Sequence, residues 1–268
     1  MSSAIRDAFP KDRCAFIPYL TAGFPDSSTC EEILAALASA GADVIEVGLP
    51  FSDPLADGPT IQSASRQALD NGTNVAEVFR IIERVQGRAR SVLAIMTYYN
   101  PILRMGHREF VRRACDAGVS GAIVPDLPPE EADAWIEACG TAGLDTIFLV
   151  APTTPMERVG MIGSLSKGFV YYVSMTGVTG GDCAISSDML AGIDLVKRLS
   201  DVPVAVGFGI STPQQAVSVS KAADGVIVGS ALIREIRAES GPTAQVDRAR
   251  DFAASFVEAL ANATATRP

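Results

Sequence analysis

The chain has a single histidine, His107, among its 268 residues. A Ser-His-Asp triad or a multi-histidine metal site therefore has almost nothing to build on. Set between Gly106 and Arg108-Glu109, His107 reads as a helix-start residue. Cysteine is sparse as well. Cys14, Cys30, Cys115, Cys139 and Cys183 are odd in number, widely spaced and never in a Cys-x-x-Cys pair. That is the pattern of reduced thiols rather than of a disulfide framework or a zinc site. No apolar run reaches membrane-spanning length, and residues 1–13 lack the apolar centre of a signal peptide. A soluble, cytoplasmic protein is expected. Positive charge is in deficit too, with 22 Lys and Arg against 31 Asp and Glu. The net charge of −9 argues against nucleic acid or an anionic membrane as partner. It does not exclude a small anionic substrate, because backbone dipoles can hold a phosphate on an acidic protein.

What the chain does have is a rhythm. Short apolar segments suited to strands fall at 15–20, 44–48, 92–97, 121–124, 146–150, 169–173, 204–207 and 225–228. Helical stretches alternate with them. One covers 3–9, and one opens at Asp26-Ser27-Ser28, with Ser28 and Glu31 at capping-box spacing, and ends before Gly41. Others cover 61–70, 75–85 behind an Asn74/Glu77 cap, and 108–117. Pro128-Pro129-Glu130-Glu131, Thr154-Pro155-Met156-Glu157 and Thr212-Pro213-Gln214-Gln215 each read as a helix start. Ser186 or Ser187 caps a helix to 199, a short helix leaves Ser230, a long one covers 244–261, and 262–268 is expected to fray. Strands that are apolar throughout belong to a parallel sheet covered by helices. Eight such units in one domain of 268 residues is the count of a closed (β/α)8 barrel (a TIM barrel) with extra short helices. An open doubly wound sheet is the alternative, but no Gly-x-Gly-x-x-Gly follows the first strand.

The stretch from Val44 to Thr60 carries the sharpest chemical signal. Glu46 stands in the middle of a strand, between Ile45 and Val47. Lost hydration would raise its pKa toward a range where one carboxyl can both give and take a proton. The plainer alternative is a structural carboxylate paired with a core Lys or Arg. A stiff loop with three prolines and a glycine then delivers Asp53 and Asp57. In a barrel the active site lies at the carboxyl ends of the strands. There, Gly177-Val-Thr-Gly-Gly181, Gly207-Phe-Gly-Ile-Ser-Thr212 and Gly229-Ser230 follow three successive strands. Each alone could be an ordinary turn. Together with the helix start at Ser230 they suggest a cradle for a substrate phosphate.

Four segments, Pro18-Tyr-Leu-Thr-Ala-Gly-Phe-Pro25, Ile45-Glu-Val-Gly-Leu-Pro-Phe-Ser-Asp-Pro-Leu-Ala-Asp-Gly-Pro59, Gly177-Val-Thr-Gly180 and Gly207-Phe-Gly-Ile-Ser211, resemble the tryptophan synthase α subunit. The resemblance runs from about Ser3 to Ala261, and the Glu-to-Asp segment is its most specific part. It implies a lyase that splits indole-3-glycerol phosphate into indole and glyceraldehyde 3-phosphate by retro-aldol cleavage. It further implies that Glu46 is the acid/base, that Asp57 hydrogen-bonds the indole N–H, and that Tyr171 stands near the reacting glycerol chain. Tyr19 and Phe208 would sandwich the indole, with Met96 lining the same pocket, and Thr179 would contact Asp57 on loop closure. Gly180, Gly209, Gly229 and Ser230 would hold the phosphate. Asp53 and Pro54 would face a β subunit in an α2β2 heterotetramer. Pyridoxal phosphate would belong to that partner, and this chain would carry neither metal nor cofactor.

Two rivals remain at the level of sequence. Another phosphate-binding barrel would share the glycine loops. A synthase, however, wants a lysine at a strand end, where this chain has none, and an isomerase wants acids where it offers Tyr19-Leu20 and Leu149-Val150. A regulatory subunit that binds without turnover would need neither Glu46 nor Asp57.

Overall fold

The computed structural model describes residues 3–88, 92–173, 187–207 and 209–265. Among the described residues nine strands form one sheet: β1 (Ala15–Thr21), β2 (Val44–Gly48), β3 (Val92–Met96), β4 (Val119–Ile123), β5 (Asp145–Ile147), β6 (Leu149–Val150), β7 (Val170–Val173), β8 (Val204–Gly207) and β9 (Gly225–Val228). Their order is β5-β4-β3-β2-β1-β9-β8-β7-β6. Every recorded pairing is parallel. The two ends of that series, β5 and β6, are separated by Phe148 alone, so the sheet closes on itself and the expected barrel is present. Every residue of β1, β2, β8 and β9 is buried, because the barrel interior covers one face and the helices the other.

The expected single strand at 146–150 is corrected to two. At Phe148 the backbone changes partner: its N–H turns to Ser166 Oγ (3.4 Å) and its carbonyl accepts from Tyr171 N–H (3.0 Å). Residues before it pair with β4 and those after it with β7. An apolar run cannot announce such a switch, because it is dictated by closure of the ring. Helix Tyr99–Met105 was not expected at all. Its Pro101 falls in the first turn, where the N–H groups have no helical acceptor, so the proline interrupts nothing.

Three caps also differ. Helix Ser27–Ser39 is capped by Asp26, whose Oδ1 accepts from Thr29 N–H at 2.9 Å, and not by Ser28. Thr154 does not cap helix Met156–Leu165; its Oγ1 accepts from Ala151 N–H at 3.0 Å instead. Pro129–Glu131 forms a 3-10 turn, and the α-helix begins at Asp133. The Thr212/Gln215 capping box is present as expected, and Asn74 Oδ1 accepts from Ala76 and Glu77 N–H. Ser187 opens its helix, while Ser186 lies outside the described residues. The final helix, Pro242–Ala265, continues through residues expected to fray. Among the described residues no helix is long and apolar enough to cross a membrane.

One ion pair outside the site fastens the start of β2 to β1. Arg13 grips Asp43 with two bonds of 2.7 Å, and Asp43 Oδ2 also accepts from Phe16 N–H at 2.8 Å. Both side chains are largely covered, at 19% and 10% exposure. Asp43→Ala strands a guanidinium and a backbone N–H, so urea unfolding should show a loss of about 2–4 kcal/mol. Asp70→Ala breaks the open Arg66–Asp70 pair, where the exposures are 79% and 61%, and should change stability by at most about 0.5 kcal/mol.

Candidate active site

Strand β2 inserts Glu46 into the barrel wall between neighbours fixed by register, Tyr19 on β1 and Ala94 on β3. The side chain is 1% exposed. Neither carboxylate oxygen has a hydrogen-bond partner among the described residues. Among the described residues no core cation pairs with it, as the structural alternative would require. Burial, reinforced by the nearby Asp57 charge, pushes the Glu46 carboxyl up to about 8. At neutral pH it is a protonated acid close to its own titration point, the condition under which one group can both donate and accept.

Asp57 arrives on the loop leaving β2. Burial pushes its carboxyl up to about 6, against a hydrogen bond from the Tyr98 hydroxyl that favours the ionised form. Two carboxyls in one site are thus pulled apart, Glu46 holding its proton and Asp57 giving its proton up. Two phenols face them. Tyr19, 5% exposed, is raised by burial and then by the charges of Asp57 and Glu46. Tyr171, 6% exposed, is raised by burial and then by Glu46, with Tyr19 and Asp57 adding less. Glycine on the next strand makes room for each ring. A Cβ on Gly48 would overlap the Tyr19 hydroxyl, and one on Gly207 would overlap that of Tyr171.

The structure therefore brings Glu46, Asp57, Tyr19 and Tyr171 together. Met96 stands at the end of β3, opposite Gly48 in register. At the rim, a Cβ on Gly229 would crowd the Tyr19 side chain, and Gly229 precedes helix Ser230–Ala238, an end that no side chain caps. Uncapped N–H groups at a helix start are suited to an anion. Gly209 is exposed with φ +85°, a conformation that favours glycine. Asp53 is exposed and Pro54 partly exposed on the outer turn of the Asp57 loop. Thr179, Gly180 and Phe208 lie outside the described residues. No cluster of three or more His, Cys, Asp or Glu able to hold a metal occurs among the described residues.

A barrel with a raised, unpaired glutamate on its second strand and a second acid on the following loop can now be set beside known proteins. The family profile "Tryptophan synthase alpha chain" matches residues 5–262. The chain belongs to that family. It is 43% identical to the tryptophan synthase alpha chain of Picosynechococcus sp., over 97% of this chain and 99% of that one. With the Gloeobacter violaceus alpha chain the identity is 48%, over 89% and 86%. Among solved structures, the Legionella pneumophila alpha subunit superposes with a TM-score of 0.89 at 35% identity, covering 98% of this chain and 100% of that one. A chain of the Pyrococcus furiosus tryptophan synthase complex superposes with a TM-score of 0.84 at 38% identity, covering 92% and 98%. The reaction of this alpha chain is the cleavage of indole-3-glycerol phosphate to indole and glyceraldehyde 3-phosphate, in tryptophan biosynthesis.

Tyr98 is the residue that the sequence analysis missed. It is 4% exposed, two residues beyond the end of β3, and it reaches across to the Asp57 loop. Its position just past a barrel strand was the available signal, because that is the catalytic rim.

The unpaired Glu46 also has a consequence for stability. A carboxyl whose pKa is higher folded than unfolded binds its proton more tightly in the native state. Native stability therefore falls as pH rises from the ordinary carboxylate range through about 8. Glu46→Gln removes that charge. At pH 9 the variant should unfold at a higher denaturant concentration than the parent, by roughly 2–4 kcal/mol, with the gap closing toward pH 5. A gap independent of pH would mean that Glu46 is not the group responsible.

Proposed function

We propose that Glu46 is the single acid/base of the cleavage and that Asp57 is its electrostatic partner. The observation that carries this reading is a buried carboxyl, pushed up to about 8, with no hydrogen-bond partner among the described residues. Protonated Glu46 delivers its proton to C3 of the indole. The bond from C3 to the glycerol chain can then break with its electron pair returning to the ring. The adjacent hydroxyl loses its proton to the Glu46 carboxylate as the aldehyde forms, and the acid is regenerated. Asp57, ionised, accepts the indole N–H and stabilises the cationic ring that exists while C3 carries the extra proton. Tyr171, whose hydroxyl is within electrostatic reach of Glu46, stands beside the glycerol chain. Tyr19, Met96 and Phe208 line the ring pocket, and Thr179 meets Asp57.

The phosphate is held by Gly180, Gly209, Gly229 and Ser230, supported by the uncapped helix start at Ser230. Asp53 and Pro54 face a β subunit in an α2β2 assembly in the cytoplasm. That reading is supported by the outward position of their loop and by the related Pyrococcus complex. Pyridoxal phosphate belongs to the β subunit, and this chain works with its own side chains alone.

Release of glyceraldehyde 3-phosphate from indole-3-glycerol phosphate, with and without β subunit, is the direct assay. Glu46→Gln should bind substrate and lose about 100-fold or more in kcat, and Asp57→Asn should lose about 10- to 1000-fold. A Glu46→Gln enzyme with parental turnover would remove the acid/base role. For the parent, kcat/KM should fall below about 6 as Asp57 takes up a proton, and above about 8 as Glu46 loses one. The two apparent values belong to the coupled pair. A profile flat from pH 5 to 9 would contradict both assignments.

A further inference from the structure

The loop from Phe51 to Asp57 is held to the barrel by one side chain. The Phe51 ring stacks on Tyr98, with centroids 5.2 Å apart and an interplanar angle of 27°. Ala56 N–H, next to Asp57, donates to the Tyr98 hydroxyl at 2.9 Å. That hydroxyl also lies close enough to the Asp57 carboxylate to favour its ionised form. A phenol has one proton to give. With a backbone N–H on its acceptor side, that proton is free for Asp57.

We propose that Tyr98 is the positioning residue for Asp57: through its ring and its hydroxyl it clamps the loop that aims the carboxylate into the site. This rests on the reading of Asp57 given above. Among the described residues no cation offers another means to the same end. Glu46 faces Asp57 from β2, Tyr19 from β1 and Tyr171 from β7, and all three couple to it electrostatically. Among the described residues no Lys, Arg or His forms an ion pair with Asp57. Asp126, the other acid near Tyr98, instead accepts from Tyr99 N–H at 2.8 Å. The Tyr99 hydroxyl is occupied in turn by His107, at 2.8 Å. Burial drives Asp57 toward its neutral form, and a neutral acid would not stabilise a cationic ring. The Tyr98 hydroxyl opposes that drift.

Tyr98→Phe keeps the ring that stacks on Phe51 and deletes only the hydroxyl. The acidic limb of kcat/KM should move up by about one pH unit, and activity on that limb should fall about tenfold. The alkaline limb, set by Glu46, should stay. In an Asp57→Asn background the same substitution should cost less than about twofold, because its target is gone. Independently of activity, titration of the ligand-free chain by NMR with labelled aspartate should show the Asp57 carboxyl moving up in Tyr98→Phe. An unmoved acidic limb and carboxyl, or equal losses in both backgrounds, would reduce Tyr98 to packing and overturn the proposal. If Asp57→Asn alone keeps full rate, the Asp57 reading fails and the clamp loses its object. An inactive Asp57→Asn beside an unmoved limb in Tyr98→Phe overturns the clamp alone.

Discussion

A carboxyl group excluded from water and given no counter-charge constrains everything placed around it. Glu46 can remain near its titration point only while no cation approaches. A Lys or Arg within a few ångströms would drop its pKa and pin it as a carboxylate. The polar groups described beside it are accordingly phenols and a second acid, with glycines making room for the rings. Phenols contribute polarity without positive charge. The second acid adds a like charge that pushes Glu46 further up. Burial pushes both carboxyls up, Glu46 to about 8 and Asp57 to about 6. That order is the one the proposed roles of proton donor and fixed anion require.

The scaffold bears the cost of this arrangement. Among the described residues Glu46 has no hydrogen-bond partner, in a position where most buried polar groups have one. The compensation comes from a ring of strands buried on both faces and tied at its start by Arg13 and Asp43. Room inside the mouth is managed residue by residue. Tyr19 leans over Gly48 and against Gly229, while Tyr171 leans over Gly207, so two large rings lie across strand ends where any Cβ would collide. Gly229 serves two ends, packing the Tyr19 ring on one side and opening the helix start at Ser230 on the other. The acid end and the proposed phosphate end of the site are therefore in contact through one aromatic side chain.

Much of this was legible in the amino-acid order. The strands Val44–Gly48, Val204–Gly207 and Gly225–Val228 appear with the bounds their composition suggested, because fully buried parallel strands are continuous apolar runs ended by glycine or polar residues. Glu46 was conspicuous as the one acid in such a run. What local sequence could not convey was tertiary. The break at Phe148 is a consequence of ring closure. Asp26 outcompetes Ser28 as a cap because its carboxylate takes both the N–H and the hydroxyl of Thr29. Tyr98, inside Tyr98-Tyr99-Asn100-Pro101, carries no motif. Its role exists only because β2 and β3 are neighbours, which brings it against a loop 42 residues earlier.

The loop between β2 and the next helix has a double allegiance that follows from its hydrogen bonds. Asp57 N–H donates to the Pro54 carbonyl at 3.1 Å, and Leu55 N–H to the Asp53 carbonyl at 3.0 Å. The turn is therefore compact, and Asp57 is tied directly to a residue on its outer surface. Leu55, at the tip, is 93% exposed. A subunit docked on Asp53 and Pro54 would cover that leucine and press on the carbonyl that accepts Asp57's own N–H. Pressure at that point has two places to go, since the inner end of the loop is held by Tyr98. It can rotate Asp57 about the clamp, or it can shorten the clamp's hydrogen bond. Either motion would change how well the carboxylate meets the ring N–H proposed as its partner, and neither requires any movement of Glu46 in its strand. Control by a partner would then act on the proposed anion and leave the proposed acid/base untouched, which is the division of labour that a rigid barrel wall and a clamped loop allow.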